Sequence, residues 1–263
     1  MTILDELAAH ARERVAEKSN KLPLIEIKKR ALSLEKKDFL FEKALKKEGL
    51  SFICECKKAS PSKGLIAPDF PYLQIARDYE AAGADCISVL TEPKWFLGSD
   101  DYLKEIAEAV SIPCLRKDFT VDEYMLYEAK LLGASAALLI CSILSPMEIS
   151  EYIGICDELG LSALVECHDA AEIETAVSCG ARIIGVNNRN LKDFSVDIEL
   201  SKRLRDTVPD GITFVSESGV KGPEDIKLVK ATGANAVLVG EALMRATNKK
   251  EMLTRFKEIY DEN

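Results

Sequence analysis

Histidine is nearly missing from this chain. Only two of the 263 residues, His10 and His168, carry an imidazole, so a histidine-rich metal site is all but excluded and no metal is expected. No apolar run approaches the ~20 residues needed to span a bilayer, and no membrane partner is expected. The N-terminal stretch MTILDELAAHARERVAEKSNK is charged and amphipathic and has no secretory h-region, which makes the expected location cytoplasmic. Excess positive charge is lacking too. A net charge of −9 argues against a nucleic-acid groove, although a small anionic substrate needs only a local cationic site. Neither a Walker A sequence nor G-x-G-x-x-G occurs, so no nucleotide cofactor is indicated. The eight cysteines (Cys54, Cys56, Cys86, Cys114, Cys141, Cys156, Cys167 and Cys179) form no C-x-x-C pair. Most lie in apolar, strand-like runs and read as reduced, packed thiols. His10 sits in a charged helical stretch and His168 in ECHDAAE. Solvated or capping roles are expected for both.

What the chain does have is repetition. Eight short β-branched or apolar runs stand out: 52–57, 85–92, 112–118, 136–141, 162–167, 182–188, 212–218 and 235–241. Helix-length amphipathic segments such as YLQIARDYEAAG and DEYMLYEAKLLG separate them. Strands alternating with helices imply βαβ units and a parallel sheet. The entries AAGADCISV, LLGASAALL, SCGARIIGV and ATGANAVLV share one form, in which a helix ends at Gly and a strand begins after a small residue. Eight βα units in all predict an α/β fold, a (β/α)8 TIM barrel. No Pro- or Ser-rich linker interrupts them, so residues 1–263 are expected to form one domain, with 1–50 a helical N-terminal extension.

Polar residues recur at the ends of these runs, where a parallel barrel builds its active site. Glu55 and Lys57 end the first run, Glu92 the second, Lys117 and Asp118 the third, and Glu166 the fifth. Asn187 ends the sixth, Glu217 and Ser218 the seventh, and Glu241 follows the eighth. Parity places Glu55 and Lys57 on the face of Ile53, Lys117 with Leu115, Glu166 with Leu164, and Glu217 with Val215. Strand ends turn polar as they leave a core, but several doing so at one end with both signs of charge point to a site. Gly219 in SESGVKG and Gly240 in VGEALMR offer bare backbone N–H groups to a phosphate, with a short helix beginning near Glu241. The plainer alternative for both glycines is a turn.

The stretches ECKKASPSKG, LTEPKWFLGSDDYL, PCLRKDFTVDEY, LVECHD, GARIIGVNNRNL, FVSESGV and VLVGEALMR together resemble the indole-3-glycerol phosphate synthase family. The likeness covers nearly the whole chain, in order, and includes the helical N-terminus. It implies closure of an indole ring: 1-(2-carboxyphenylamino)-1-deoxyribulose 5-phosphate loses CO2 and water to give indole-3-glycerol phosphate in tryptophan biosynthesis. It also implies no cofactor, a phosphorylated small-molecule substrate, and a monomer or weak homo-oligomer. Carried over by motif, Lys117 is the general acid and Glu166 the base. Glu55 and Lys57 join them, and how the acid and base duties divide among Lys57, Glu55 and Glu166 stays open at this stage. Asn187, Arg189, Glu217 and Ser218 orient the substrate, Ser60 contacts it, and Phe96 and Phe119 pack on its ring. Gly219, Gly240 and Glu241 form the phosphate end, although the Glu241 carboxylate must turn away from a phosphate. An Amadori-type isomerase would share the last two loops but lack the Lys117–Glu166 pair. A silent barrel would have lost Glu55, Lys117 or Glu166, and all are present.

Overall fold

The computed structural model describes residues 2–190 and 193–262; Leu191, the last residue of the NNRNL motif, lies outside them. Eight parallel strands close into a barrel: β1 Ser51–Cys56, β2 Cys86–Leu90, β3 Cys114–Lys117, β4 Ala136–Ile140, β5 Ser162–Cys167, β6 Ile183–Asn187, β7 Thr213–Glu217 and β8 Ala236–Val239. Each pairs with the next, and β1 closes the ring against β8 in the register Ser51 to Ala236 through Cys54 to Val239. Nearly every strand residue is buried, as expected when a parallel sheet has side chains filling its interior and helices covering its outside. Helices α1 Ile3–Lys21, α2 Leu24–Ser33 and α3 Leu40–Leu45 precede the barrel. The connecting helices are α4 Tyr72–Ala81, α5 Asp100–Ala109, α6 Tyr124–Leu131, α7 Pro146–Leu159, α8 Ala170–Ser178, α9 Glu199–Leu204 and α10 Pro223–Ala231. After β8 come α11 Glu241–Arg245 and α12 Lys249–Asp261.

The repeated helix-Gly-strand form has a backbone cause. Gly83, Gly133, Gly180 and Gly233 take φ of 83°, 83°, 87° and 67°. That left-handed conformation ends the helix and turns the chain into β2, β4, β6 and β8 at no steric cost.

Alternation along the strands sorts the rest. On β1, Phe52 and Cys54 face the helices, and Phe52 stacks on Phe256 of α12 with ring centroids 6.5 Å apart. Ile53 and Glu55 face inward. On β3, Arg116 points outward and Lys117 inward. The Arg116 guanidinium, fully buried, donates to the Met125 carbonyl at 2.8 Å, Asp100 at 2.8 Å and Glu128 at 2.6 Å.

The N-terminal helices cover both ends of the barrel. Thr2 and Asp5 form a reciprocal capping box at the start of α1. Farther along α1, Arg14 holds Asp118 through two hydrogen bonds of 3.1 and 2.6 Å. Lys18 bonds Asp100 and, at 2.7 Å, Glu128, so α1 lies across the C-terminal mouth. At the opposite end α3 buries Phe41 and Leu45. Its Glu42 N–H donates to the Ser162 hydroxyl at 3.1 Å, and the Glu42 carboxylate pairs with Arg182. Between β1 and α4 the chain forms a two-residue antiparallel ladder, Ala59–Ser60 against Gly64–Leu65. It carries the loop over the mouth.

Candidate active site

A cavity of about 430 Å³ opens at the C-terminal ends of the strands. Glu55, Lys57, Lys117, Glu166, Asn187, Glu217 and Ser218 all line it. So do Ser60, Phe96, Phe119, Arg189, Gly219, Gly240 and Glu241, and the apolar floor is Leu90, Leu138, Ile140 and Leu238. Lys117 stands between two carboxylates, its Nζ 3.1 Å from Glu166 Oε2 and 3.4 Å from Glu217 Oε2. Across the cavity Lys57 bonds Glu55 at 2.6 Å, and the Ser88 hydroxyl donates to the other Glu55 oxygen at 3.4 Å. This explains how β1 can end on two charges in a buried setting: each compensates the other at the wall of a polar cavity.

Two glycines leave room for these groups. A Cβ on Gly185 would lie 2.1 Å from Glu217 Oε1. One on Gly240 would lie 2.5 Å from Glu55 Oε1 and 2.9 Å from Lys57 Nζ. Gly240 therefore does more than turn the chain. Ser218 adopts φ of 65° and Gly219 φ of 103°, a strained conformation for the serine. Asn188 pins it, donating to the Ser218 carbonyl at 3.0 Å and the Ser216 hydroxyl at 3.1 Å. Arg189 reaches from the end of β6 to the Ser62 hydroxyl and the Phe194 carbonyl, both at 3.4 Å. Phe96 and Phe119 stand with ring centroids 6.0 Å apart. The Glu241 carboxylate is taken by Arg245 at 3.0 Å.

The indole-3-glycerol phosphate synthase model matches residues 4–256. The chain belongs to this family. It is 54% identical over 256 residues to the indole-3-glycerol phosphate synthase of Ruminiclostridium cellulolyticum, covering 97% of this chain and 98% of the relative. The corresponding protein of Lachnoclostridium phytofermentans is 49% identical over 269 residues, with 98% and 99% covered. Among solved structures, 3-hexulose-6-phosphate synthase from Salmonella typhimurium matches with a TM-score of 0.65, 16% identity, and 80% and 98% coverage. That likeness speaks for the fold alone.

In this member of the indole-3-glycerol phosphate synthase family the cavity sets the charge states. Burial pulls the Lys117 pKa down, but Glu166, Glu217 and Glu55 together outweigh it and hold the ammonium protonated. Burial pushes Glu166 up, and Lys117 and His168 bring it below the usual carboxylate range. Glu217 ends on the other side. Burial raises it, Lys117 only partly offsets this, and Glu166 adds repulsion, giving a pKa of about 7. Among the described residues no group of three or more His, Cys, Asp or Glu is placed to hold a metal ion, and no helix is long and apolar enough to cross a membrane.

Several expectations meet a different environment. Glu92 is fully buried and accepts from the N–H groups of Lys94, Trp95 and Phe96, so it shapes the loop that presents Phe96 and does not line the cavity. His10 is not simply solvated: it lies 3.3 Å from Glu92 and edge-on to Trp95. The His168 N–H is capped by Glu172 at 2.7 Å, yet its ring turns inward beside Glu166. Sequence reading also passed over cavity residues. Ile3, Leu4 and Leu7 come from α1, and Phe194 and Val196 from the loop after β6. Their apolar spacing looks like that of any helix or loop packed on a core. Others carried a usable signal: Pro61, Ser62 and Lys63 lie within KASPSKG, and Val220 and Lys221 within SESGVKG.

Proposed function

We propose that Lys117 is the general acid and Glu166 the general base of the family's reaction, within one domain spanning residues 1–263. The chain is a carboxy-lyase of tryptophan biosynthesis, an indole-3-glycerol phosphate synthase by family. Its substrate is a small phosphorylated molecule. Ring closure begins when the aniline carbon bearing the carboxylate attacks the ribulose ketone. Negative charge grows on the ketone oxygen, and the Lys117 ammonium delivers a proton there. The carboxylate leaves as CO2, and its electrons restore the benzene ring. The hydroxyl then departs as water after taking a second proton, and a neighbouring C–H proton passes to Glu166. Per turnover, two protons enter and one returns, which matches the loss of an ionised carboxylate as neutral CO2. Glu55 serves the dehydration, and Lys57 holds the ring carboxylate before it leaves. Arg189, Asn187 and Ser218 orient the sugar, Phe96 and Phe119 pack on the ring, Ser60 closes over it, and the Gly219 and Gly240 backbone takes the phosphate. The chain is taken as a monomer or weak homo-oligomer that binds no nucleic acid.

The observation that carries this assignment is the placement of Lys117 between Glu166 and Glu217 inside the cavity. Indole fluorescence after mixing with the substrate tests it. Lys117→Ala should lose about 10²–10⁴-fold in turnover while calorimetry still registers binding. Near-normal turnover would move the acid elsewhere. Glu166→Gln should fall similarly, and full activity there would move the base to Glu55.

A further inference from the structure

One partly buried imidazole has no task in that scheme. His168 lies two residues beyond Glu166, just past the end of β5, and its ring turns back towards Glu166. Its Nε2 is 3.5 Å from Glu166 Oε1 and is buried with no hydrogen-bond partner among the described residues. Its Nδ1 is 3.3 Å from Glu172 Oε2, the oxygen that also accepts from the His168 N–H. Glu172 is itself fixed at the start of α8, where its N–H donates to Asp169 Oδ1 at 2.9 Å. Glu166 therefore has Lys117 at one oxygen and an imidazole facing the other.

We propose that His168 is a positioning residue for Glu166: anchored by Glu172, it fixes Oε1 while Lys117 fixes Oε2, and it stays as Glu166's cation once Lys117 has given up its proton. The proposal rests on the assignment of Lys117 and Glu166 above. When Lys117 protonates the ketone oxygen, the ammonium facing Glu166 and Glu217 becomes neutral. Glu55, Glu166 and Glu217 then share the cavity with Lys57, which is bonded to Glu55, and with Lys63, Arg189 and Lys221, none of which pairs with Glu166 among the described residues. His168 is the titratable group left beside Glu166 that can carry positive charge. The groups facing the imidazole are Glu166 from β5, Glu172 from α8 and, farther off, Glu217 from β7. Those facing Glu166 are Lys117 from β3, His168, Asn187 from β6 and, across Lys117, Glu217 from β7. Burial lowers the imidazole's pKa, and these carboxylates outweigh it, leaving it above the ordinary value.

His168→Asn and His168→Gln remove the charge and keep a polar side chain. The expected result is a kcat lower by about tenfold, with KM near the wild-type value. The acid limb of the kcat profile should move up by about one pH unit, because Glu166 loses a cation that favours its ionised form. An acid limb that stays in place overturns the proposal, even where kcat falls. If both variants fail to fold, nitrogen-15 NMR of the imidazoles compares wild type with Glu166→Gln, a tractable spectrum in a chain with two histidines. By reciprocity of linkage His168 should then titrate about one unit lower in the variant. An unchanged titration overturns the pairing. Wild-type turnover in Glu166→Gln would instead remove the base assignment, whatever His168 does.

Discussion

Glycine at positions 185 and 240 matters for what it leaves unfilled. A methyl group on Gly185 would occupy the place of a Glu217 oxygen, and one on Gly240 would press on the Glu55–Lys57 pair. Gly185→Ala should therefore lower kcat by roughly 10–100-fold, the scale of a misplaced catalytic group, as read by indole fluorescence. Gly154→Ala is the control. Its Cβ meets nothing within 4 Å, and a helical Gly→Ala change should stabilise by about 0.5–1 kcal/mol. Wild-type kcat in Gly185→Ala would show that Glu217 need not sit where it does. At this scale much was legible beforehand. Parity along a strand is rigid, so the inward direction of Glu55, Lys117, Glu166 and Glu217 follows from counting by twos. The inward turn of His168 was not legible, because it follows the last residue of β5 and alternation stops where pairing stops.

The element that bears most on the cavity without supplying a reacting group is α1. Its Ile3, Leu4 and Leu7 line the wall, and Arg14 ties it to Asp118, the neighbour of Lys117. Burial pushes the Asp118 pKa up, but Arg14, Arg116 and Thr91 together bring it below the ordinary value. Arg14→Ala leaves that buried carboxylate with Thr91 and Arg116, so a loss of about 2–3 kcal/mol is expected, somewhat less than for a wholly orphaned charge. Denaturant unfolding measures the loss, and a raised KM should accompany it as the apolar wall loosens. Stability lost with KM unchanged would reduce α1 to a support. The strands were legible to within a few residues because β-branched runs bounded by helix-ending glycines leave little choice. The ladder Ala59–Ser60 with Gly64–Leu65 was not: two residues per strand carry no periodicity. Nor was the burial of Arg116, since alternation says only that it faces outward, and its partners Asp100 and Glu128 arrive from other helices.

For the whole molecule, the buried charges make stability depend on pH in opposing ways. Glu42, Asp118 and Glu166 have lowered pKa values in the fold. Their contribution is present above the ordinary carboxylate pKa and is lost as pH falls through the folded value. Glu217 is raised to about 7, so it costs stability as pH rises from its unfolded value towards 7. His168 is raised as well, and its contribution fades as pH climbs through its folded value. The unfolding midpoint without substrate should peak between about pH 4.5 and 6. Glu217→Gln should flatten the fall towards neutrality, by on the order of 3 kcal/mol at most, while turnover drops. A midpoint that does not change between pH 5 and 8 would contradict the raised carboxyl. The closed ring has a further consequence during synthesis on the ribosome. β1 finds its second neighbour only in residues 236–239, so each nascent chain carries an unpaired, apolar β1 edge until almost its whole length has emerged. Any chain cut short before β8 keeps that edge exposed and can pair it with another such chain.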